Sequence, residues 1–440
     1  MDNKKVLIIS YFFPPRPGVG SNRIKGLYKY LPIYGWDPII LTPILPGCPA
    51  KDYNLIQTNY KGDVSSYFKH LFGLRSQVGL QEQIGICPNM EIGNKVIINK
   101  FIKLIKSVLV FPDEQIFWYW PAIKSGSSLL KAIKCSAIIS SSSPVTAHLI
   151  AKTLKRRFCL PWIADLRDLW TQNHYYSYGV VRKIIERNLE LRTLKHADAL
   201  VTISEPLARK LRSLHNNKTI WIPNGYDPDE VKSSKVTRYF TITYTGQLYN
   251  GKRNPKILFE AINKLIKEGA IEKEIVKLRF YGDNSNWLNT LVSNYGLNEV
   301  VDIKASIPRE LSLEKQRESQ LLLLILWDHK DELGACPAKV FEYLSAKRPI
   351  IALGNEKGVV AKLLRDTNSG ICVNSLNSLI EVLKKYYRDY KEEGLVKYQG
   401  DWEKIENYSQ HRMAERFAHL LDSLINKNGS SGILMGRQMW

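Results

Sequence analysis

Short, almost continuous apolar runs recur along this chain, and each leads through a loop into a stretch of helical period. Val6-Leu-Ile-Ile-Ser10 is the first, and Ile350-Ile-Ala-Leu353 is among the last. A run of that kind is buried on both faces, which a parallel sheet covered by helices on both sides provides. The alternation runs from Val6 through Ala137–Ser140, Trp162–Asp165 and Ala199–Ile203. It pauses at Pro-Asn-Gly225 and the polar stretch 226–237, then restarts with Phe240–Tyr244, Val276–Tyr281, Val300–Ile303 and Leu321–Trp327. Two series of alternating strands and helices imply an α/β protein with two Rossmann-like, doubly wound domains. A chain of 440 residues is also too long for one ordinary core. The expected division is 1–225 and 226–404, with a helix near 405–428 returning to the first domain.

Two loops stand out as ligand sites. After the first strand comes Tyr11-Phe-Phe-Pro-Pro-Arg-Pro-Gly-Val-Gly20, with Ser21 as the expected cap of a helix over 21–34. Gly18 and Gly20 suit a tight turn facing phosphate or sugar, although the third glycine of a dinucleotide fingerprint is missing. The second loop is Gly334-Ala-Cys-Pro-Ala, which opens a helix bearing Lys339 and Glu342. Small residues before a helix leave backbone N–H groups free for phosphate. Lys339 adds a full charge, and Glu342 can accept from sugar hydroxyls. A buried αβ unit with both side chains in solvent is the plainer alternative. Residues 45–95 show no clear period and read as a long loop or insertion.

Charge is unevenly placed. The total is +21, and the first 225 residues carry 31 Lys and Arg against 14 Asp and Glu. Such asymmetry calls for an anionic partner: a phosphate-bearing substrate, a phospholipid surface or nucleic acid. No nucleic-acid module is visible. Residues 95–111 form a basic amphipathic helix, with Lys100, Lys103 and Lys106 on one arc. It suits an anionic membrane surface, or equally a helix packed on its own sheet. No apolar run reaches the length of a membrane span. The six cysteines are scattered without a Cys-x-x-Cys pair, as expected of reduced cytosolic thiols rather than a disulfide framework or zinc site.

Several pieces together resemble the glycosyltransferase family 4 enzymes of GT-B architecture, most of all bacterial members that build surface polysaccharides. They are Tyr-Phe-Phe-Pro-Pro-x-x-Gly-Val-Gly-Ser-x-Arg23, Trp162-Ile-Ala-Asp-Leu-Arg-Asp-Leu-Trp170 and Ala197-Asp-Ala-Leu-Val-Thr-Ile-Ser204. The others are Ile-Pro-Asn-Gly225, Tyr-Thr-Gly246, Ser-Ile-Pro-Arg309 and Pro-x-Lys-Val-Phe-Glu-Tyr-Leu344. The resemblance spans nearly the whole chain. It implies a nucleotide-sugar donor held mainly by the C-terminal domain, an acceptor held by the N-terminal one, and chemistry in the cleft between them. It further implies retention at the anomeric carbon, no required metal, and no cofactor beyond the donor, taken here as a UDP-sugar. The acceptor it suggests is a lipid-linked oligosaccharide of O-antigen or capsule synthesis, handled at the inner face of the cell membrane.

Residue by residue, Glu342 matches the second glutamate of the family's E-x7-E motif, which contacts the donor ribose. The first glutamate is replaced by Gly334, so the sugar would be gripped by backbone N–H groups of Gly334, Ala335 and Cys336, or by Glu332. Lys339 lies where it can reach the diphosphate. The family's Arg-x4-Lys clamp becomes Gln247-x4-Lys252, with Arg253 as a possible substitute for the lost arginine. Ser306 and Ile307 lie where backbone groups read the base. In the first domain Gly18 and Gly20 face the donor phosphate, and Arg23 and Arg167 are candidates for acceptor binding. Asp165, Asp168 and His148 are candidates for catalysis at strand ends, with an Arg167–Asp168 structural pair as the alternative. A sugar-nucleotide epimerase on the same architecture, a basic nucleic-acid binder and a non-catalytic glycan binder remain as rivals.

Overall fold

The computed structural model describes residues 3–16, 18–47, 53–60, 62–64, 110–173, 176, 178–282, 285–327 and 333–429. Residues 95–109 of the expected basic helix, and Glu332, lie outside the described residues. The chain divides into two compact units, Met1–Ile222 with Ala414–Trp440, and Pro223–Met413. No described helix is long and apolar enough to cross a membrane.

The first unit holds seven strands in the order β3-β2-β1-β4-β5-β6-β7. These are β1 (Lys4–Ser10), β2 (Trp36–Pro43), β3 (Leu55–Thr58), β4 (Ala137–Ser142), β5 (Trp162–Leu166), β6 (Ala199–Thr202) and β7 (Thr219–Trp221). All pair in parallel, with Ile8 between Ile40 and Ile139. Val6 to Ile9 have no solvent exposure, as a central strand covered on both faces requires. Leu7, Ile9 and Ile138 share one core with Ile150 and Leu154 of helix Thr146–Phe158.

The second unit holds six parallel strands in the order β10-β9-β8-β11-β12-β13. These are β8 (Phe240–Thr245), β9 (Val276–Tyr281), β10 (Val301–Lys304), β11 (Leu321–Ile325), β12 (Ile350–Leu353) and β13 (Gly370–Val373). Leu321, Leu323 and Ile325 point to one side of the sheet, while Leu322 and Leu324 point to the other, each into its own buried cluster. Both sheets are doubly wound. Each changes winding direction at one place, between β1 and β4 and between β8 and β11, and a crevice at the strand C-termini there is where ligands bind such sheets.

Two local expectations are corrected. The helix after β1 begins at Val19, not Ser21; Gly18 takes the cap position at φ 131°, and the Ser21 hydroxyl turns back to the Arg16 carbonyl instead. Residues 45–95 are not wholly irregular, because Leu55–Thr58 forms the edge strand β3. The last helix, Gln410–Gly429, enters the first unit at Ala414. There Phe417 is fully buried, and Asp422 accepts from the Trp36 indole at 3.1 Å and pairs with Lys4.

Candidate functional site

In the second unit, β8 ends at Thr245 and the chain turns through Gly246 at φ 126°. Its N–H donates to the Tyr281 carbonyl at 2.6 Å, so the ends of β8 and β9 are tied together. Gly282, at φ 121°, lies against it: a Cβ on Gly282 would stand 2.9 Å from the Gly246 Cα. A Cβ on Gly246 would stand 1.7 Å from the Lys339 ammonium. Glycine at both strand ends is therefore what lets Lys339 lay its side chain across the C-terminal end of β8. The Tyr343 hydroxyl, from the same helix Lys339–Ser345, accepts from the Thr245 N–H at 3.0 Å and fixes that helix to the strand.

Lys339 is held in an unfriendly place for a cation. Burial and then the nearby Arg253 push its pKa down to about 8, with Glu342 acting the other way. Lys252 is close by in sequence, its ammonium 5.0 Å from the centre of the Trp327 ring. Crowded cations at the end of a central strand are stabilised by a bound anion. Gln247, which replaces the clamp arginine, spends its amide on the Gly282 carbonyl. Arg253 stacks its guanidinium on Tyr249 at 4.9 Å while still acting on Lys339.

Glu342 pairs with Arg309, which also bonds Glu230 at 2.8 Å. Arg309 opens helix Arg309–Arg317, next to the exposed Ser306 and half-buried Ile307. In the sequence Arg309 is only the last residue of the Ser-Ile-Pro-Arg motif, and no pattern there points to Glu230. A carboxylate has about four acceptor positions, so the Arg309 contact leaves Glu342 able to accept from another donor. Gly334 is buried and Ala335 half-buried. Cys336 is buried too, and burial pushes its thiol up to about 12, so it offers only backbone groups.

In the first unit the two aspartates differ sharply. Asp165, at the end of β5, is fully buried. Arg23 grips it with two bonds, Nε to Oδ2 at 3.0 Å and Nη2 to Oδ1 at 2.9 Å, and the Ser141 hydroxyl donates to Oδ2 at 2.9 Å. Arg23 also donates to the Ile222 carbonyl at 3.1 Å. This corrects two expectations: Arg23 is a buried structural cation rather than a group open to an acceptor, and Asp165 is its partner rather than a free base. Asp168 is exposed.

Arg167 is buried, donating to Ser141 Oγ and to the Ser143 carbonyl at 3.3 Å each. Its guanidinium lies flat on Gly20, where a Cβ would come within 2.7 Å of Nη2. Gly20, Ser141, Asp165 and Arg167 thus converge where the first sheet changes winding direction, while Gly18 lies against Phe12. His148 is fully buried, and burial pushes its pKa down to about 4, so it is neutral at pH 7. The Trp162 indole donates to Ser140 Oγ at 2.8 Å, and Ser140 shares a 2.7 Å bond with His148 Nδ1. The indole therefore takes one acceptor position of Ser140 Oγ, and the serine ties the histidine ring to β5. Among the described residues no group of three or more His, Cys, Asp or Glu is placed to hold a metal ion.

Residues 90–230 match the model of Glycosyltransferase Family 4. No curated relative matches the sequence. Among solved structures, sucrose-phosphate synthase from Thermosynechococcus elongatus superimposes with a TM-score of 0.65 at 12% identity, over 96% of this chain and 100% of that one. A glycosyltransferase from Rickettsia africae gives 0.60 at 15% identity, over 97% and 100%. The Anabaena protein Alr3699/HepE, solved in complex with UDP and glucose, gives 0.59 at 11% identity, over 96% and 100%.

Proposed function

We propose that this chain, which has the glycosyltransferase GT-B fold and a family 4 segment, transfers a sugar from a UDP-sugar to a lipid-linked oligosaccharide, with retention and without a metal. The observation that carries the reading is the Lys339 ammonium seated on Gly246 beside Arg253. Breaking the bond between the anomeric carbon and the diphosphate leaves the electron pair on the leaving oxygen. Lys339, Arg253 and Lys252 neutralise that charge in place of a cation. Glu342, steadied by Arg309, accepts from the ribose hydroxyls. The acceptor hydroxyl attacks the anomeric carbon on the face from which the diphosphate departs, so the configuration is kept, and its proton passes to the exposed Asp168. The UDP bound by the Anabaena neighbour supports the choice of nucleotide. Bacterial surface-polysaccharide synthesis, as O-antigen or capsule, and work at the inner face of the cell membrane complete the proposal. The basic first unit supports both, since a lipid diphosphate and an anionic membrane each attract it.

Steady-state turnover with UDP-sugars tests the site. Lys339→Ala and Glu342→Ala should each lower it by on the order of 10²-fold, the scale of one lost transition-state contact. Unchanged turnover in both variants would remove the donor site from this loop.

A further inference from the structure

Helix Val180–Leu194 of the first unit is built inside out. Its buried face is polar up to Leu194, which joins the core. Arg182, Glu186 and Glu190 are all buried. Arg182 Nη2 donates to the carbonyls of Val110 at 2.6 Å and Pro112 at 3.0 Å, and its Nε donates to Glu186 at 2.5 Å. Glu186 also accepts from the Trp170 indole at 3.2 Å, and Glu190 accepts from the Thr171 N–H at 3.2 Å and lies 3.3 Å from His215 Nε2. These contacts fix the roll of the helix, because turning it would strip three charged groups of their partners.

The outward face is apolar. Val180, Val181, Ile184 and Ile185 are 75%, 74%, 58% and 53% exposed. Positions i, i+1, i+4 and i+5 form one stripe on a helix. Lys183, Arg192 and Lys195 are exposed around it and beyond it. Both acids of the helix sit on the buried face, so its outward surface carries positive charge alone. We infer that this helix docks the chain on an anionic phospholipid surface. The apolar stripe enters the boundary of the acyl chains, and the flanking cations meet the headgroups. The charge excess of the first 225 residues draws the chain to the same surface. The inference deepens the proposed lipid-linked acceptor, on which its purpose rests, and assigns the contact to a described helix distinct from residues 95–109.

Co-sedimentation of the full chain with vesicles of phosphatidylcholine, with and without phosphatidylglycerol, tests it. Wild-type protein should pellet with the phosphatidylglycerol vesicles and be released by salt. The double variant Val181→Asp/Ile184→Asp should lower the partition by about tenfold or more, as two charges enter the apolar stripe. Ile33→Asp, at a 62% exposed isoleucine elsewhere in the unit, should pellet like wild type. A thermal shift with UDP should be equal in all three proteins, which shows that they are folded and reads the donor site separately. No pelleting of wild type, or equal pelleting of the double variant, overturns the inference. So does a wild-type dimer that the double variant dissolves without loss of vesicle binding, which gives the stripe to a second copy. A missing UDP shift with vesicle binding intact counts against the donor site alone.

Discussion

Arg23 and Asp165 meet across 142 positions of sequence, at a place where neither side chain touches water. Removing one partner of a buried, doubly bonded pair leaves the other charge uncompensated, at a cost of about 3–5 kcal/mol. Asp165→Asn should therefore lower the melting temperature by roughly 10 °C, since each kcal/mol moves a unit of this size by a few degrees. Asp168→Asn should lower the melting temperature less than that, since it removes only the charge that Asp168 lends the buried Arg167, and should lower turnover on the order of 10²-fold or more, as expected when a proton acceptor is lost. Calorimetry and steady-state kinetics on the two variants separate the roles. The sequence placed both aspartates at a strand end but could not tell them apart, because the partner that distinguishes them is remote. Lys339 makes a prediction of a different kind. Its pKa is lowered to about 8, so the ammonium is charged at pH 7 and loses its proton as pH rises through that value. UDP affinity measured by calorimetry should be flat below pH 7 from this group and fall about tenfold per unit well above pH 8. Lys339→Met should bind more weakly and lose that slope.

The ends of β8 and β9 show what an element must provide before a side chain can act. Gly246→Ala puts a Cβ at a φ that L residues rarely adopt, and into the space of the lysine's flexible tip. The expected result is a modest fall in melting temperature together with a loss of UDP affinity approaching that of Lys339→Ala, which itself should keep the wild-type melting temperature. Thermal shift with and without UDP reads both effects. Elements of this kind were legible where pattern and burial agree. β9 spans Val276–Tyr281 as the sequence indicated, because Val276, Leu278 and Phe280 alternate with Lys277 and Arg279 in the period of a half-buried strand. β3 was missed because Leu55–Thr58 is a four-residue edge strand, only partly buried, and its pattern is too weak to stand out from a loop. The short helix Trp402–Glu406 was missed for the same reason of length. In the candidate site, Lys339 and Glu342 could be read from the motif, whereas the link from Glu342 through Arg309 to Glu230 depends on a fold that brings together three separate segments.

At the scale of the molecule, the same strand order arises twice, with the first strand of each sheet in its middle and a crossover to the fourth beside it. That order could be anticipated from the alternation of strands and helices, since right-handed crossovers leave few alternatives. The charge asymmetry was equally plain, but its destination was not: the sequence directed attention to 95–111, while the described structure displays its exposed apolar stripe on Val180–Leu194. The first unit is also discontinuous, closing on itself only when Asp422 reaches Lys4 and Trp36 and Phe417 fills its place in the core. On a ribosome the chain emerges from its N-terminus, and domains ordinarily fold in that order. Here the first unit must wait with a gap in its side until almost all of the second has been made, so the half that begins folding first is the half that finishes last.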